Sequence, residues 1–175
     1  MPKRNNGLSV RLAAVLLGVV LQLSAGLAQD KAQAPRNPFA GLPDLVAGLK
    51  ATPGCLGVET ARTASGKQVI FAWFENKKSV LRWYSSDTHQ KAMKMAFPDH
   101  TPGEPLKGVP DNDSPIMAVA SLTLADKPEV EGTSLPIKQI SIELYQPLTG
   151  GIFFGGRFAP EALKVPDMKD YTPKK

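Results

Sequence analysis

The run Gln68-Val69-Ile70-Phe71-Ala72-Trp73-Phe74-Glu75 constrains the fold more than any other segment. Its β-branched and aromatic residues occupy both odd and even positions, so a strand here is apolar on both faces and needs cover on both. Leu56 to Thr63 precedes it and alternates, with Leu56, Val58 and Thr60 on one side. Ser65-Gly66-Lys67 between the two runs is a turn signal. The pair reads as a β-hairpin whose second strand sits centrally in a larger sheet.

Helical segments flank the hairpin. In Pro43 to Lys50 proline suits the first turn, Asp44 suits the positive helix end, and Leu45, Val46 and Leu49 form an apolar stripe. Gly48 weakens this helix and Pro53-Gly54 stops it. Asn76 to Phe97 reads as helix in two pieces, with Asn76 capping the first. Val80, Tyr84, Thr88, Ala92 and Met95 fall near helical spacing, which is simple packing on the sheet. Ser85-Ser86-Asp87 puts three poor helix formers in a row, and Asp87 is the expected cap of the second piece.

Residues 98–115 carry five prolines and little apolar content, and are expected to form a long loop. Ile116 to Leu124 is strand-like. Ile137 to Gln146 alternates, with Ile140, Ile142 and Leu144 expected inward, and a short apolar segment, Ile152-Phe153-Phe154, lies between glycine pairs read as hairpin turns. The order α-β-β-α-β-β lacks strict βαβ alternation and points to α+β: an antiparallel sheet with two main helices on one face. Val69, Phe71, Val80, Ile140 and Ile142 are expected in the core. Residues from Glu161 onward are proline-broken and charged and read as a surface tail.

The N-terminus reads as an address. Lys3, Arg4 and Arg11 precede a twelve-residue apolar run, Leu12 to Leu23, and Gly26 and Ala28 are the small residues before a cut at Gln29. Twelve apolar residues fall short of the ~20 that span a bilayer, so cleavage is expected rather than a stable membrane span. The domain organisation is a signal peptide at 1–28, a linker at 29–42, an α+β domain at 43–160 and a C-terminal tail at 161–175, in a periplasmic or secreted protein. Without residues 1–28 the remaining 147 carry 18 basic against 16 acidic residues, so the apparent basicity is partly targeting charge and no clustered basic surface marks a nucleic-acid partner. The single cysteine, Cys55, excludes an intrachain disulfide framework, and two histidines, His89 and His100, leave little material for a metal site.

Pro53-Gly54-Cys55-Leu56-Gly57-Val58-Glu59, the strand ending Trp73-Phe74-Glu75, and Trp83-Tyr84-Ser85-Ser86-Asp87-Thr88-His89 come in an order more specific than any one of them. Together, over about Pro43 to Phe97, they resemble the antibiotic-biosynthesis-monooxygenase-like superfamily of dimeric α+β barrels. The resemblance implies a ferredoxin-like antiparallel sheet and a homodimer made by packing open sheet faces. The family's first strand has no counterpart in Gln29 to Leu42, so Ile116–Leu124 or Ile137–Gln146 would fill its slot in a permuted sheet. The family includes cofactor-independent oxygenases of aromatic polyketides and haem-degrading enzymes. Trp83 stands where the latter pack a tryptophan on haem, but their ligating histidine falls at Met93 and His89 lies one turn earlier, so no cofactor is expected.

Among polar residues His89 is the candidate catalytic group, because it combines a near-neutral pKa with the family's histidine-bearing helix. Trp73 and Trp83 are the candidate substrate-binding residues, apolar walls for a small aromatic ligand in a cleft between sheet and second helix. In a continuous helix positions 83 and 89 project about 120° apart, so a joint site needs the break at Ser85-Ser86-Asp87. Cys55 lacks a basic neighbour and reads as a buried small hydrophobe. Asp111-Asn112-Asp113-Ser114 lacks the central glycine and distant glutamate of a calcium loop and reads as an acidic turn. Two function classes follow: a cofactor-independent monooxygenase or related small-molecule enzyme, or a non-catalytic ligand-binding or accessory protein of the cell envelope.

Overall fold

The computed structural model describes residues 41–101 and 103–174, so the expected signal peptide and most of the expected linker lie outside the described residues. Helix α1 (Leu45–Ala51) leads into strand β1 (Cys55–Arg62) and β2 (Gln68–Phe74). Helices α2 (Lys77–Tyr84) and α3 (Asp87–Ala96) follow, then β3 (Ile116–Leu124), β4 (Ile137–Tyr145) and two short strands, β5 (Ile152–Phe153) and β6 (Lys169–Asp170). The main sheet is antiparallel in the order β1-β2-β3-β4. This is the expected α+β ferredoxin-like architecture, with three helices where two main ones were expected. β3 pairs with β2 over its whole length, Gln68 opposite Leu122 through Phe74 opposite Ile116. It thereby fills the slot that the missing first strand would take.

Local chemistry explains the helix boundaries. Asp44 caps α1 by accepting from the Ala47 amide, and Asn76 caps α2 by accepting from that of Ser79. The second helical piece is capped by Ser86, whose hydroxyl accepts from the His89 amide at 3.2 Å. Asp87, expected as that cap, lies instead in the first turn of α3, where its charge still complements the helix dipole. Gly48, costly to α1 in propensity, lets α1 approach α3: a Cβ there would come within 2.6 Å of Thr88 Cγ2.

The core between sheet and helices consists of Leu49, Val58, Ala72, Phe74, Val80 and Ile116, with Trp83, Leu106, Val109, Ala118 and Leu144 packed around it. The 98–115 loop thus contributes Leu106 and Val109, and Lys77 ties it down through the Val109 carbonyl at 2.7 Å and the Asp111 carboxylate at 3.2 Å. Val69 and Val80 are buried as expected, and Phe71 is half-buried. Ile140 and Ile142 are not: they are 42% and 64% exposed. They share the helix-side face with Leu144, but α1 and α2 lie against β1 and β2, leaving the outer part of edge strand β4 beyond the helical layer.

The opposite face of the sheet is covered in part by the C-terminal segment. Phe158 meets Phe71 and Trp73 edge-on at ring centroid distances of 5.0 and 5.2 Å, and Pro160 lies over Gly57. Arg157 organises this segment by donating to the carbonyls of Pro160, Glu161 and Leu163. Leu163, in the stretch expected as a surface tail, is only 3% exposed. The glycine pairs around β5 do not make hairpins, because β5 pairs in parallel with β6.

Candidate functional site

The break between α2 and α3 assembles an aromatic cluster. Tyr84 ends α2, Ser85 closes it by donating its amide to the Leu81 carbonyl, and Ser86 starts the new helix. The chain therefore turns between positions 83 and 89, and their rings meet: Trp83 and His89 lie edge-on with centroids 5.4 Å apart. Tyr84 adds a tilted contact with His89 at 5.0 Å. Its side chain is a member of the cluster that helical spacing had assigned to simple packing. The signal that could have found it is its place as the last helical residue before three poor helix formers, where chain direction changes.

His89 is half-buried, and its Nδ1 atom is buried without a hydrogen-bond partner. Desolvation pushes the imidazole pKa below its ordinary value of 6.5, opposed by the Tyr84 backbone carbonyl. A neutral imidazole in this position can accept a proton or a hydrogen bond, the elementary requirement for a general base.

Trp73 does not join this cluster. Side chains alternate along β2, so Ala72 and Phe74 enter the helix-side core while Trp73 points to the other face, stacked on Phe71 at 6.2 Å. There it helps line a cleft of about 330 Å³ with Lys50, Cys55, Leu56, Gly57, Val58, Glu59 and Pro160. The expected shared cleft of Trp73, Trp83 and His89 is thus split across the sheet, because Trp73 has the strand parity that points away from the helices carrying Trp83 and His89. Cys55 in this cleft has its thiol pKa pushed up by burial, which keeps it protonated and weakly nucleophilic at neutral pH.

A second groove, about 380 Å³, lies on α3 and the residues after it, lined by Gln90, Lys91, Met93, Lys94, Phe97, Pro98 and His100. Met93, where the resemblance would put a haem ligand, lines this groove, whose walls do not include Trp83. The Trp83 side chain packs on the core instead. These residues do not fit a haem site.

A four-stranded antiparallel sheet with helices over one face and a hairpin entered through Pro53-Gly54-Cys55-Leu56-Gly57 defines a ferredoxin-like α+β domain. Residues 40–95 match the family model described as antibiotic biosynthesis monooxygenase. The match spans α1, the hairpin, α2 and most of α3, and it points to a small-molecule monooxygenase-like family. No curated protein and no solved structure matches the chain.

Proposed function

We propose that this protein is an exported, non-catalytic ligand-binding or accessory protein of the cell envelope that keeps the monooxygenase-like fold. One observation carries the reading: the space between sheet and α2, where a substrate pocket was expected, is filled by Phe74 and Ser79, both fully buried, with Val80 and Ile116 beside them. The segment Lys3 to Ala28, with its cationic start, apolar run and small residues before Gln29, supports export. A homodimer belongs to the same reading, although Phe158 and Pro160 already occupy part of the sheet face that family members use for pairing.

The competing reading, a cofactor-independent monooxygenase, draws on His89, whose unpartnered Nδ1 lies beside Trp83 and Tyr84. Oxygen uptake with 1,8-dihydroxyanthrone as probe separates the two. The expected result is a rate equal to spontaneous autoxidation for both the natural protein and His89→Ala. Acceleration that disappears in His89→Ala would overturn the non-catalytic reading. For export, the mass of the protein recovered from the periplasm is expected to correspond to a chain beginning at Gln29.

A further inference from the structure

The large apolar side chains that this protein leaves exposed are concentrated in its C-terminal segment, where Leu148, Ile152, Phe154, Phe158 and Tyr171 all face solvent. Three of them share one face of the β5–β6 ribbon. Opposed residues of a parallel pair project to the same side, so the pairing of Ile152 with Lys169 and of Phe153 with Asp170 divides the ribbon into two faces. One carries Ile152, Phe154, Lys169 and Tyr171, and the Phe154 and Tyr171 rings stack there with centroids 5.7 Å apart. The other carries Phe153, Met168 and Asp170 and is turned to the body of the domain: Phe153 is half-buried, and the Met168 sulfur accepts from Arg157 at 3.4 Å. The Lys169 and Tyr171 amides donate to the Gly151 and Phe153 carbonyls at 2.9 Å, which fixes the outer side chains in this arrangement. The Gly155 amide adds a bond to the Thr172 hydroxyl at 2.6 Å.

The outer face is apolar, open and cationic. Ile152 and Phe154 are each 64% exposed, and Tyr171 is 53% exposed. At ~150–250 Å² per aromatic side chain, the two rings alone present on the order of 200 Å². With Ile152 beside them the patch reaches the few hundred Å² at which exposed apolar surface marks an interaction site. Lys169 is the one charge among the four side chains, and Lys174 follows three residues after Tyr171. Asp170 is directed to the opposite face, and its carboxylate accepts from the Thr172 amide at 2.8 Å. Neither lysine forms an ion pair with a described residue.

We propose that this face docks the protein on an anionic bilayer surface. Ile152 and Phe154 enter the acyl boundary, Tyr171 lies at headgroup level, and Lys169 and Lys174 meet lipid phosphates. The inference rests on the envelope reading above, which puts a bilayer within reach, and adds the partner and the surface that meets it.

Size and charge favour a bilayer over a protein partner. The face is two short strands wide, well below the ~800 Å² that each partner gives to a standard protein interface. A bilayer needs no matched surface and takes up apolar side chains one by one. Aromatic and aliphatic groups edged by lysines, with the acid turned away, complement an anionic leaflet. The contact is peripheral, since among the described residues no helix is long and apolar enough to cross a membrane. So small a patch gives weak, reversible binding, to which each cation beside an anionic leaflet contributes about fivefold in affinity.

Co-sedimentation of the mature chain with vesicles tests this, using phosphatidylcholine alone and phosphatidylcholine with about 30% phosphatidylglycerol. Binding to the anionic vesicles is expected, weakened at least ~tenfold by Ile152→Ser/Phe154→Ser and about fivefold by Lys169→Gln, and reduced in ~0.5 M NaCl. Ile140→Ser/Ile142→Ser removes exposed apolar side chains from another surface and should bind as the natural chain does. All these side chains are exposed, so the variants should fold, as circular dichroism would verify. Phe154→Trp should show fluorescence quenching by lipids brominated on their acyl chains beyond that of the natural chain. No binding to anionic vesicles, or binding that survives Ile152→Ser/Phe154→Ser, would overturn the docking face. So would Phe154→Trp fluorescence that those lipids leave unquenched, or self-association in place of vesicle binding. Export is scored separately by the chain start at Gln29, so failure of vesicle binding leaves the envelope reading standing.

Discussion

Replacing Gly54 by alanine tests whether the turn between α1 and β1 is shaped for the helix beneath it. Gly54 adopts φ +84°, and a Cβ there would lie 2.0 Å from Ser79 Oγ, 2.7 Å from Ser79 Cβ and 3.0 Å from Glu75 Oε2. Ser79 has little room to yield, since it is fully buried and its amide and hydroxyl both bond to Asn76 Oδ1 at 3.2 and 3.3 Å. The left-handed conformation costs alanine about 1–2 kcal/mol and overpacking a further ~1–3 kcal/mol, together roughly 2–5 kcal/mol. That is a large fraction of the ~5–15 kcal/mol by which a domain is stable. With a urea slope of about 1–3 kcal/mol per molar, the unfolding midpoint should fall by ~1–3 M. Gly66→Ala supplies the control: its φ is +87° and nothing lies within 4 Å of the added Cβ, so it should lose only the conformational part. The difference between the two variants isolates the steric part. A double-mutant cycle with Ser79→Gly should recover about 1–3 kcal/mol of it as coupling. Equal losses in Gly54→Ala and Gly66→Ala, with no coupling to Ser79, would refute the reasoning.

Three further outcomes are expected. Because burial holds His89 below its ordinary 6.5, the unfolded chain binds the proton more readily; its contribution to stability is present above pH 6.5 and lost as pH falls from there through the folded-state value. An NMR titration of the His89 ring should therefore show a midpoint below 6.5, and one at or above it would contradict the burial argument. Arg157→Ala should destabilise the C-terminal segment by about 2 kcal/mol through loss of charge-assisted bonds to three carbonyls. Hydrogen exchange should then accelerate at the Gly150, Lys169 and Tyr171 amides while the β1–β2 ladder keeps its protection, whereas a uniform change would argue against a locally held segment. Cys55 should react with an aromatic disulfide reagent at pH 8 at least tenfold more slowly in the folded than in the urea-unfolded protein, and equal rates would show an accessible, unperturbed thiol.

Local order came from local chemistry. The hairpin turn at Ser65-Gly66-Lys67, the α2–α3 break and the bounds of β3 were all legible because turn residues, caps and alternation act over a few positions. So was the encounter of Trp83 with His89, once the break was accepted. Ser86 displaced Asp87 as the cap through a shift of one residue, about the finest distinction such signals carry. What remained was the choice of face. β2 is apolar on both sides, so its alternation could not say which side the helices take, and Trp73 was grouped with residues that the sheet separates from it. The exposure of Ile140 and Ile142 likewise depends on how far the helices reach across the sheet, a matter of helix length and crossing rather than of strand pattern. Residues 157–163 gave no periodic signal at all; their burial of Leu163 comes from one guanidinium gathering three distant carbonyls, which exists only after the chain has folded back. Sequence alone therefore determined the helices and the four main strands and their order, which neighbouring residues dictate, but not the β5–β6 pair. Tertiary structure decided which apolar faces are covered and which side chains meet, because those depend on contacts between segments far apart in the chain.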